Sequence, residues 1–137
     1  MDLGAIGRRL DADELETMHR RKTGALIRAS VMMGAIAAQV TDRLRLSALD
    51  TYGAEMGLAF QIQDDILDVA GDVAALGKAT GADAARDKPT YPSLLGLDAS
   101  RRLAAAHRDR AIASLAPLGR AAAPLEALAR FVVDRQH

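Results

Sequence analysis

The most chemically suggestive part of the sequence is a short acidic cluster inside an otherwise apolar segment. Asp64, Asp65 and Asp68 fall within five positions of the stretch "LAFQIQDDILDVAGD". A helix advances about 100° per residue, so these carboxylates and Gln61 would share one side of it. Carboxylates placed one helical turn apart repel each other, and a bound cation would offset that repulsion.

Mg²⁺ is the cation that suits such a cluster best. It binds through one or two carboxylates and leaves its other positions to water and substrate phosphates. Zinc is a poorer fit because it prefers Cys or His, and the sequence contains no Cys. The spacing also lacks the alternation and the central glycine of an EF-hand loop. Judged on the aspartates alone, an Mg²⁺ site and a solvated acidic face are about equally plausible.

Three lysines favour the metal site. Lys22, followed by Thr23, lies at the junction of two expected helices, while Lys78 and Lys88 lie in the glycine-rich stretch after the aspartates. Any one of them would be typical of a protein surface. Together, beside a metal, their ammonium groups could act as point charges that hold a diphosphate.

The elements expected to position these residues are all helices. Apolar residues recur three and four positions apart from Leu49 to Val69, which predicts a helix over residues 42–69 that Gly71 and Asp72 end. Thr41 or Asp42 is expected to cap it. Further helices are predicted over residues 13–22 with Asp11 or Asp13 at the start, 25–40, 100–115 with Ser100 as the cap, and 125–135. Residues 71–92 are expected to form a long loop, followed by a helical turn over 93–97.

Composition and charge narrow the class of protein. The 137 residues suffice for one domain, and 18 basic residues balance 18 acidic ones. A net charge of zero gives no general attraction to nucleic acid or to an anionic membrane. The weakly charged run from residue 29 to 42 is short for a membrane span and is predicted to be a buried helix. Charged residues interrupt the opening positions, so no secretory signal is expected and the predicted location is the cytoplasm.

Four stretches, taken in order, resemble one known family. They are "KTGALI" at 22–27, "GLAFQIQDDILDVAGD" at 57–72, "LGKATGAD" at 76–83 and "KPTYPSLLGL" at 88–97. Together they resemble the C-terminal half of trans-isoprenyl diphosphate synthases, most closely the bacterial farnesyl diphosphate synthases. The resemblance runs from about Asp13 to the C-terminus. It implies an all-α isoprenoid synthase helical bundle, with residues 1–137 forming the C-terminal half of a single polyprenyl synthetase domain.

The resemblance also implies a reaction and a set of site residues. Such enzymes condense an allylic diphosphate, dimethylallyl or geranyl, with isopentenyl diphosphate in an Mg²⁺-dependent reaction that gives farnesyl diphosphate and pyrophosphate. Asp64 and Asp68 would bind Mg²⁺ directly, and Asp65 would assist through the metal or its waters. Phe60 would line the isopentenyl site. The residues expected to contact the allylic diphosphate are Lys22, Thr23, Gln61, Lys78 and Lys88, of which Lys78 would also act in catalysis.

One departure from the family shapes the expected behaviour of this chain. The family's first aspartate-rich motif and the arginines that follow it are not found in the sequence. We therefore expect the chain to be inactive unless it is complemented. We also expect the apolar face of the 42–69 helix to be exposed and to bind a second copy, as a homodimer, or the missing N-terminal half.

Two other functional classes stay open. The first is a catalytically inactive module that binds a diphosphate or a partner protein. The second is a terpene cyclase, which shares the fold. Cyclases usually use many aromatic side chains to stabilise cations, and this chain has only two Tyr and two Phe, so the cyclase is disfavoured.

Overall fold

The chain folds into a helical bundle. We describe it from a computed structural model that covers residues 11–74 and 90–136. Its α-helices are α1 (Ala12–His19), α2 (Ala25–Ala37), α3 (Arg43–Ala74), α4 (Tyr91–Leu95), α5 (Leu97–Ser114) and α6 (Ala123–Asp134). A π-helical turn (Arg20–Gly24), called the π turn below, joins α1 to α2, and a 3-10 segment (Ala116–Ala122) leads into α6. These residues contain no strand, and the all-α prediction is confirmed.

The starts of α1 and α3 are set by acidic caps. Asp11 accepts a hydrogen bond from the Glu14 amide at 2.8 Å, and Glu14 accepts one in return from the Asp11 amide at 3.0 Å. This reciprocal capping box satisfies two amides that the helix itself leaves free. Asp42 similarly accepts from the Arg45 amide at 3.2 Å. The predicted caps at Asp11 and Asp42 are confirmed.

The long helix α3 forms the centre of the bundle. Its apolar positions contribute to two buried clusters, one with α2, α5 and α6 and one with α1, α4 and α5. The predicted spacing is confirmed, because the buried residues on α3 include Leu49, Tyr52, Met56, Ala59, Ile62 and Ile66. The predicted end at Gly71 is wrong, since α3 continues to Ala74. One glycine lowers helix stability by only about 1 kcal/mol, which the rest of a long helix can outweigh.

The helices after the undescribed segment differ from prediction in their boundaries. Thr90 caps α4 through a capping box with Ser93, so α4 begins two residues earlier than expected. Ser100 is not a cap: it is buried inside α5, and its hydroxyl donates to the Gly96 carbonyl at 2.8 Å. A serine hydroxyl can bond to the carbonyl four residues back as readily as it caps a helix, and the sequence does not distinguish these arrangements.

The most exposed large apolar residues lie on α2, with Leu44 at the start of α3 and Phe131 on α6 also exposed. The apolar face of α3 is buried within the chain, so the prediction that this face would be exposed is wrong. The expectation of a buried helix over 29–42 is also wrong. Leu26, Met33 and Ile36 on α2 are each about 70% exposed. No described helix is long and apolar enough to cross a membrane.

Buried polar contacts connect α3 to the helices that follow it. Glu55 Oε2 and His107 Nδ1 are 2.5 Å apart, which joins α3 to α5. The Tyr52 hydroxyl donates to the Leu125 carbonyl at 2.7 Å, which joins α3 to the first turn of α6. Burial raises the pKa of Tyr52 from 10.0 to about 12.

The raised pKa of Tyr52 predicts a loss of stability at alkaline pH. The unfolded chain releases this proton near pH 10, whereas the folded chain holds it until about pH 12, so the free energy of unfolding falls across that interval. The loss attributable to Tyr52 is up to about 3 kcal/mol. Urea unfolding as a function of pH measures it.

Tyr52→Phe separates this effect from other alkaline transitions. The variant should lose about 1 kcal/mol near neutral pH, because the hydrogen bond to Leu125 is gone. Its further loss between pH 10 and about 12 should be smaller than that of the wild type. Equal losses in the two proteins over this interval would contradict the assignment.

Candidate functional site

Helix α3 carries the acidic cluster, but burial divides its three carboxylates. The Asp64 side chain is 47% exposed, and Asp68 is exposed one turn further along. Asp65, between them, is only 2% exposed. Asp64 and Asp68 are therefore accessible to a ligand from solvent.

Asp65 uses both carboxylate oxygens within the protein. Its Oδ1 accepts a hydrogen bond from Gln61 Nε2 at 3.0 Å, and its Oδ2 accepts from the backbone amide of Tyr91 at 3.2 Å. The half-buried Gln61, predicted to contact substrate, thus has its amide nitrogen directed at Asp65. These two contacts connect the acidic turn of α3 to the beginning of α4.

Lys22 and Thr23 lie in the π turn, which packs on α3. A π turn inserts one extra residue into a helix and often occurs at functional sites. Lys22 is exposed and Thr23 is half-buried. The insertion changes which side of the helix each residue occupies, so straightforward helical periodicity could not have placed these two side chains.

Two glycines set the distance between the π turn and α3. A Cβ added to Gly57 would lie 2.7 Å from the Cα of Gly24, and one added to Gly53 would lie 2.9 Å from the Cα of Arg28. Each contact permits no side chain at the glycine. In these two contacts Gly24 faces Gly57 and Arg28 faces Gly53, so the two segments run antiparallel. A residue before Gly24 therefore faces a residue after Gly57.

This register indicates how far along α3 Lys22 lies from the acidic turn. Continued by two residues, it brings Lys22 level with Ala59, which precedes Asp64 by five residues. At about 1.5 Å of rise per residue, the axial separation between Lys22 and Asp64 is about 8 Å. A lysine side chain and a diphosphate can together bridge such a distance.

An ion pair between α2 and α3 lies one helical turn from the Gly24 contact. Arg28 on α2 donates to both carboxylate oxygens of Asp50 on α3, with the Nη2–Oδ2 distance at 2.6 Å. The hydrogen bond from the guanidinium holds the pKa of the Asp50 carboxyl below its usual value. A paired guanidinium and carboxylate have a preferred geometry, which limits sliding of α2 along α3.

Arg135, beyond the end of α6, also reaches the acidic turn. Its guanidinium carbon lies 4.8 Å from the centre of the Phe60 ring, and its Nη2 lies 4.0 Å from Asp64 Oδ1. The Gln63 side chain donates to the Arg135 carbonyl at 3.3 Å, which fixes this part of the chain. The sequence pattern gave no indication that Arg135 would lie here, because its position depends on how α6 packs on α3.

The described donors fit Mg²⁺ when phosphate oxygens supply part of its coordination. Among residues 11–74 and 90–136, no three His, Asp or Glu side chains form a group that could hold a metal ion. Asp64 and Asp68 offer two accessible carboxylates on successive turns. Mg²⁺ commonly takes one or two carboxylates with substrate phosphates and water completing its shell. The predicted diphosphate ligands Lys78 and Lys88 lie outside the described residues.

Comparison with known proteins gives consistent results. Residues 1–115 match the protein-family model described as polyprenyl synthetase. The farnesyl diphosphate synthase of Escherichia coli is 49% identical over 98% of this chain, which covers 46% of that protein. The chain therefore spans about half the length of this curated relative.

Solved structures match as well. An FPP/GFPP synthase from Zymomonas mobilis superposes with a TM-score of 0.75 at 33% identity, over 96% of this chain and 42% of that one. A geranyltransferase from Helicobacter pylori, solved with magnesium and isoprenyl diphosphate, gives a TM-score of 0.69 at 32% identity. That match covers 93% of this chain and 41% of the Helicobacter chain.

The close approach of α2 and α3 predicts different effects for two glycine-to-alanine changes. Gly57→Ala should lower the free energy of unfolding by about 1–3 kcal/mol, because its new methyl group would overlap the Gly24 backbone. Gly34→Ala is the matched control, since an added Cβ there meets nothing within 4 Å. That change should leave stability equal or raise it by up to about 1 kcal/mol.

Urea unfolding of the two variants measures these effects. Similar free energies of unfolding for Gly57→Ala and Gly34→Ala would show that the helices can separate without loss. That result would remove the basis for the register described above.

Proposed function

Because the chain belongs to the polyprenyl synthetase family, we propose that it supplies one side of the metal- and diphosphate-binding site of a prenyl-transferring enzyme. The reaction joins an allylic diphosphate, dimethylallyl or geranyl, to isopentenyl diphosphate and yields farnesyl diphosphate and pyrophosphate. The names of the relatives support this choice of reaction. A cytoplasmic location stays a prediction from the sequence.

The observation that carries the proposal is the pairing of accessible acids and a base across two helices. Asp64 and Asp68 face solvent on α3, and the register set by the glycine contacts supports a position for Lys22 and Thr23 within reach of a diphosphate bound at Asp64. Carboxylates without a cation would repel a diphosphate. A site that combines acids and a lysine therefore suits a diphosphate bound together with Mg²⁺. The magnesium and isoprenyl diphosphate of the Helicobacter geranyltransferase structure support this choice of ligands.

The residues on this side of the proposed site have different roles. Asp64 and Asp68 would hold Mg²⁺, which would neutralise the diphosphate as it departs from the allylic carbon. Lys22 would contribute a further positive charge to the leaving group, and the Thr23 hydroxyl would donate a hydrogen bond to it. Lys78 and Lys88 are proposed as further diphosphate contacts that add positive charge, and Gln61 as an uncharged contact through its amide group.

Phe60 and Arg135 lie next to the proposed metal ligands on the same side of the site. We propose that Phe60 presents an apolar surface to the isopentenyl chain, as its position one turn before Asp64 allows. The guanidinium of Arg135 lies over the Phe60 ring and near Asp64, so it adds positive charge beside the metal ligands. Its contact with the ring limits the orientations that Phe60 can adopt.

In the second candidate function, this chain alone binds a diphosphate but does not catalyse the reaction. The chain covers 46% of the Escherichia coli enzyme. Three large apolar residues on α2 are also about 70% exposed, as expected of a surface that another helix could cover. Both candidates require the same Mg²⁺ and diphosphate site, and they differ in whether the chain turns over substrate.

Calorimetry with Mg²⁺ and pyrophosphate tests the proposed site. The wild-type chain should bind pyrophosphate only when Mg²⁺ is present. Asp64→Asn and Asp68→Asn should each weaken binding by about tenfold or more, which corresponds to at least about 1.4 kcal/mol. Asp98→Asn is the matched control, because Asp98 is an exposed acid near the start of α5 with 87% of its side chain accessible.

Two outcomes would count against the proposed site. One is the lack of Mg²⁺-dependent binding by the wild-type chain, and the other is equal binding by Asp64→Asn and Asp98→Asn. A prenyl-transfer assay on the same preparation separates the two candidate functions. We expect no turnover by this chain alone, and measurable turnover would contradict that expectation.

A further inference from the structure

We propose that Asp65 is a positioning residue that holds the first turn of α4 against α3, and that it does not bind the metal. The family resemblance implied that Asp65 assists through the metal or its waters. The structure distinguishes Asp65 from its neighbours by burial and by hydrogen bonding. The statements about metal binding, for Asp65 as for Asp64 and Asp68, rest on the proposed function, whereas the positioning role of Asp65 does not.

The difference in accessibility is large. Asp65 is 2% exposed, whereas 47% of the Asp64 side chain is exposed and Asp68 is also exposed. A metal bound with a diphosphate approaches from solvent, so it can reach Asp64 and Asp68 directly. It could reach Asp65 only if that side chain left its buried position.

The hydrogen bonds of Asp65 oppose such a movement. Its two oxygens accept from Gln61 Nε2 and from the Tyr91 amide, at 3.0 and 3.2 Å. The Tyr91 amide belongs to the first residue of α4 and has no acceptor within that helix. Rotation of Asp65 toward solvent would leave this buried amide without its acceptor, which is unfavourable.

The other amides at the start of α4 are satisfied locally. Thr90 N donates to the Ser93 hydroxyl at 3.0 Å, and Ser93 N donates to the Thr90 hydroxyl at 3.2 Å. The Tyr91 amide instead connects to a different helix. A carboxylate is a suitable acceptor because its negative charge interacts favourably with the N-terminal end of a helix.

The Tyr91 side chain extends this connection to α1. The residue is 1% exposed, and its ring stacks on His19 with centroids 5.6 Å apart and an interplanar angle of 28°. Asp65 therefore holds a residue that packs against α1 while its own helix, α3, carries the accessible acids. The inferred role is to fix α1, α3 and α4 relative to one another at the proposed metal site.

The Asp65→Asn substitution distinguishes this role from metal ligation. In Asp65→Asn, the new carbonyl oxygen can accept from the Tyr91 amide. The new NH₂ group can donate to Gln61 if the Gln61 amide rotates by half a turn. Both connections survive in this variant, but the negative charge that a direct Mg²⁺ ligand would supply is lost. Asp65→Ala removes both connections.

The experiment combines amide hydrogen exchange with calorimetry on the 137-residue chain. Without metal, Asp65→Ala should raise the exchange rate of the Tyr91 amide by about tenfold or more, while Asp65→Asn should stay within about threefold of wild type. With Mg²⁺ and pyrophosphate, Asp65→Asn should bind clearly more tightly than Asp64→Asn, and any small loss relative to wild type is assigned to the rotated Gln61 amide. Asp64→Asn provides the comparison, with normal Tyr91 exchange and weakened binding.

Two results would overturn the inference. One is wild-type exchange of the Tyr91 amide in Asp65→Ala, and the other is loss of binding in Asp65→Asn as large as in Asp64→Asn. If Asp65→Ala does not fold, Asp65→Asn decides: a protected Tyr91 amide supports the positioning role, and an unprotected one contradicts it. If the wild-type chain shows no Mg²⁺-dependent binding, the proposed function fails while the exchange measurement still decides the role of Asp65.

Discussion

The contact between the backbones of Gly24 and Gly57 is the constraint on which the proposed site depends. The two helical segments come so close there that even a methyl group on Gly57 would overlap its neighbour. This contact determines where the π turn lies along α3, and hence the distance between Lys22 and the exposed aspartates. A bulkier residue at Gly57 would move the basic and the acidic parts of the site apart.

Helix α3 combines structural and chemical roles through the side chains on its different faces. Apolar residues bury one face against the other helices, and Asp64 and Asp68 face solvent on another. Asp65 lies between these environments, and its hydrogen bonds to Gln61 and Tyr91 compensate for its burial. A cluster that looks uniform in the sequence is thus divided by packing into accessible ligands and an internal acceptor.

The sequence predicted the parts of the fold that local rules control. The spacing of apolar residues identified α3, and the acidic caps at Asp11 and Asp42 were confirmed because capping depends on nearby amides. Ser100 was misplaced, since its hydroxyl can satisfy either a cap or the carbonyl one turn back.

Features that depend on contacts between distant segments were not predictable in the same way. The burial of Asp65 requires α4 to pack on α3, and the position of Arg135 requires α6 to do so. The exposure of α2 likewise depends on which helices cover it, whereas its apolar composition suggested burial. The candidate metal ligands could be identified from spacing, but the different environments of the three aspartates could not.

In the proposed site, one ligand contacts both the π turn and the acidic turn of α3. Paramagnetic broadening by Mn²⁺, which shares the preference of Mg²⁺ for oxygen ligands, tests this directly in the presence of pyrophosphate. For a shared site, we expect the amide signals of Lys22 and Thr23 to broaden together with those of residues 64–68. Broadening of the α3 signals with unchanged signals from Lys22 and Thr23 would contradict a shared site.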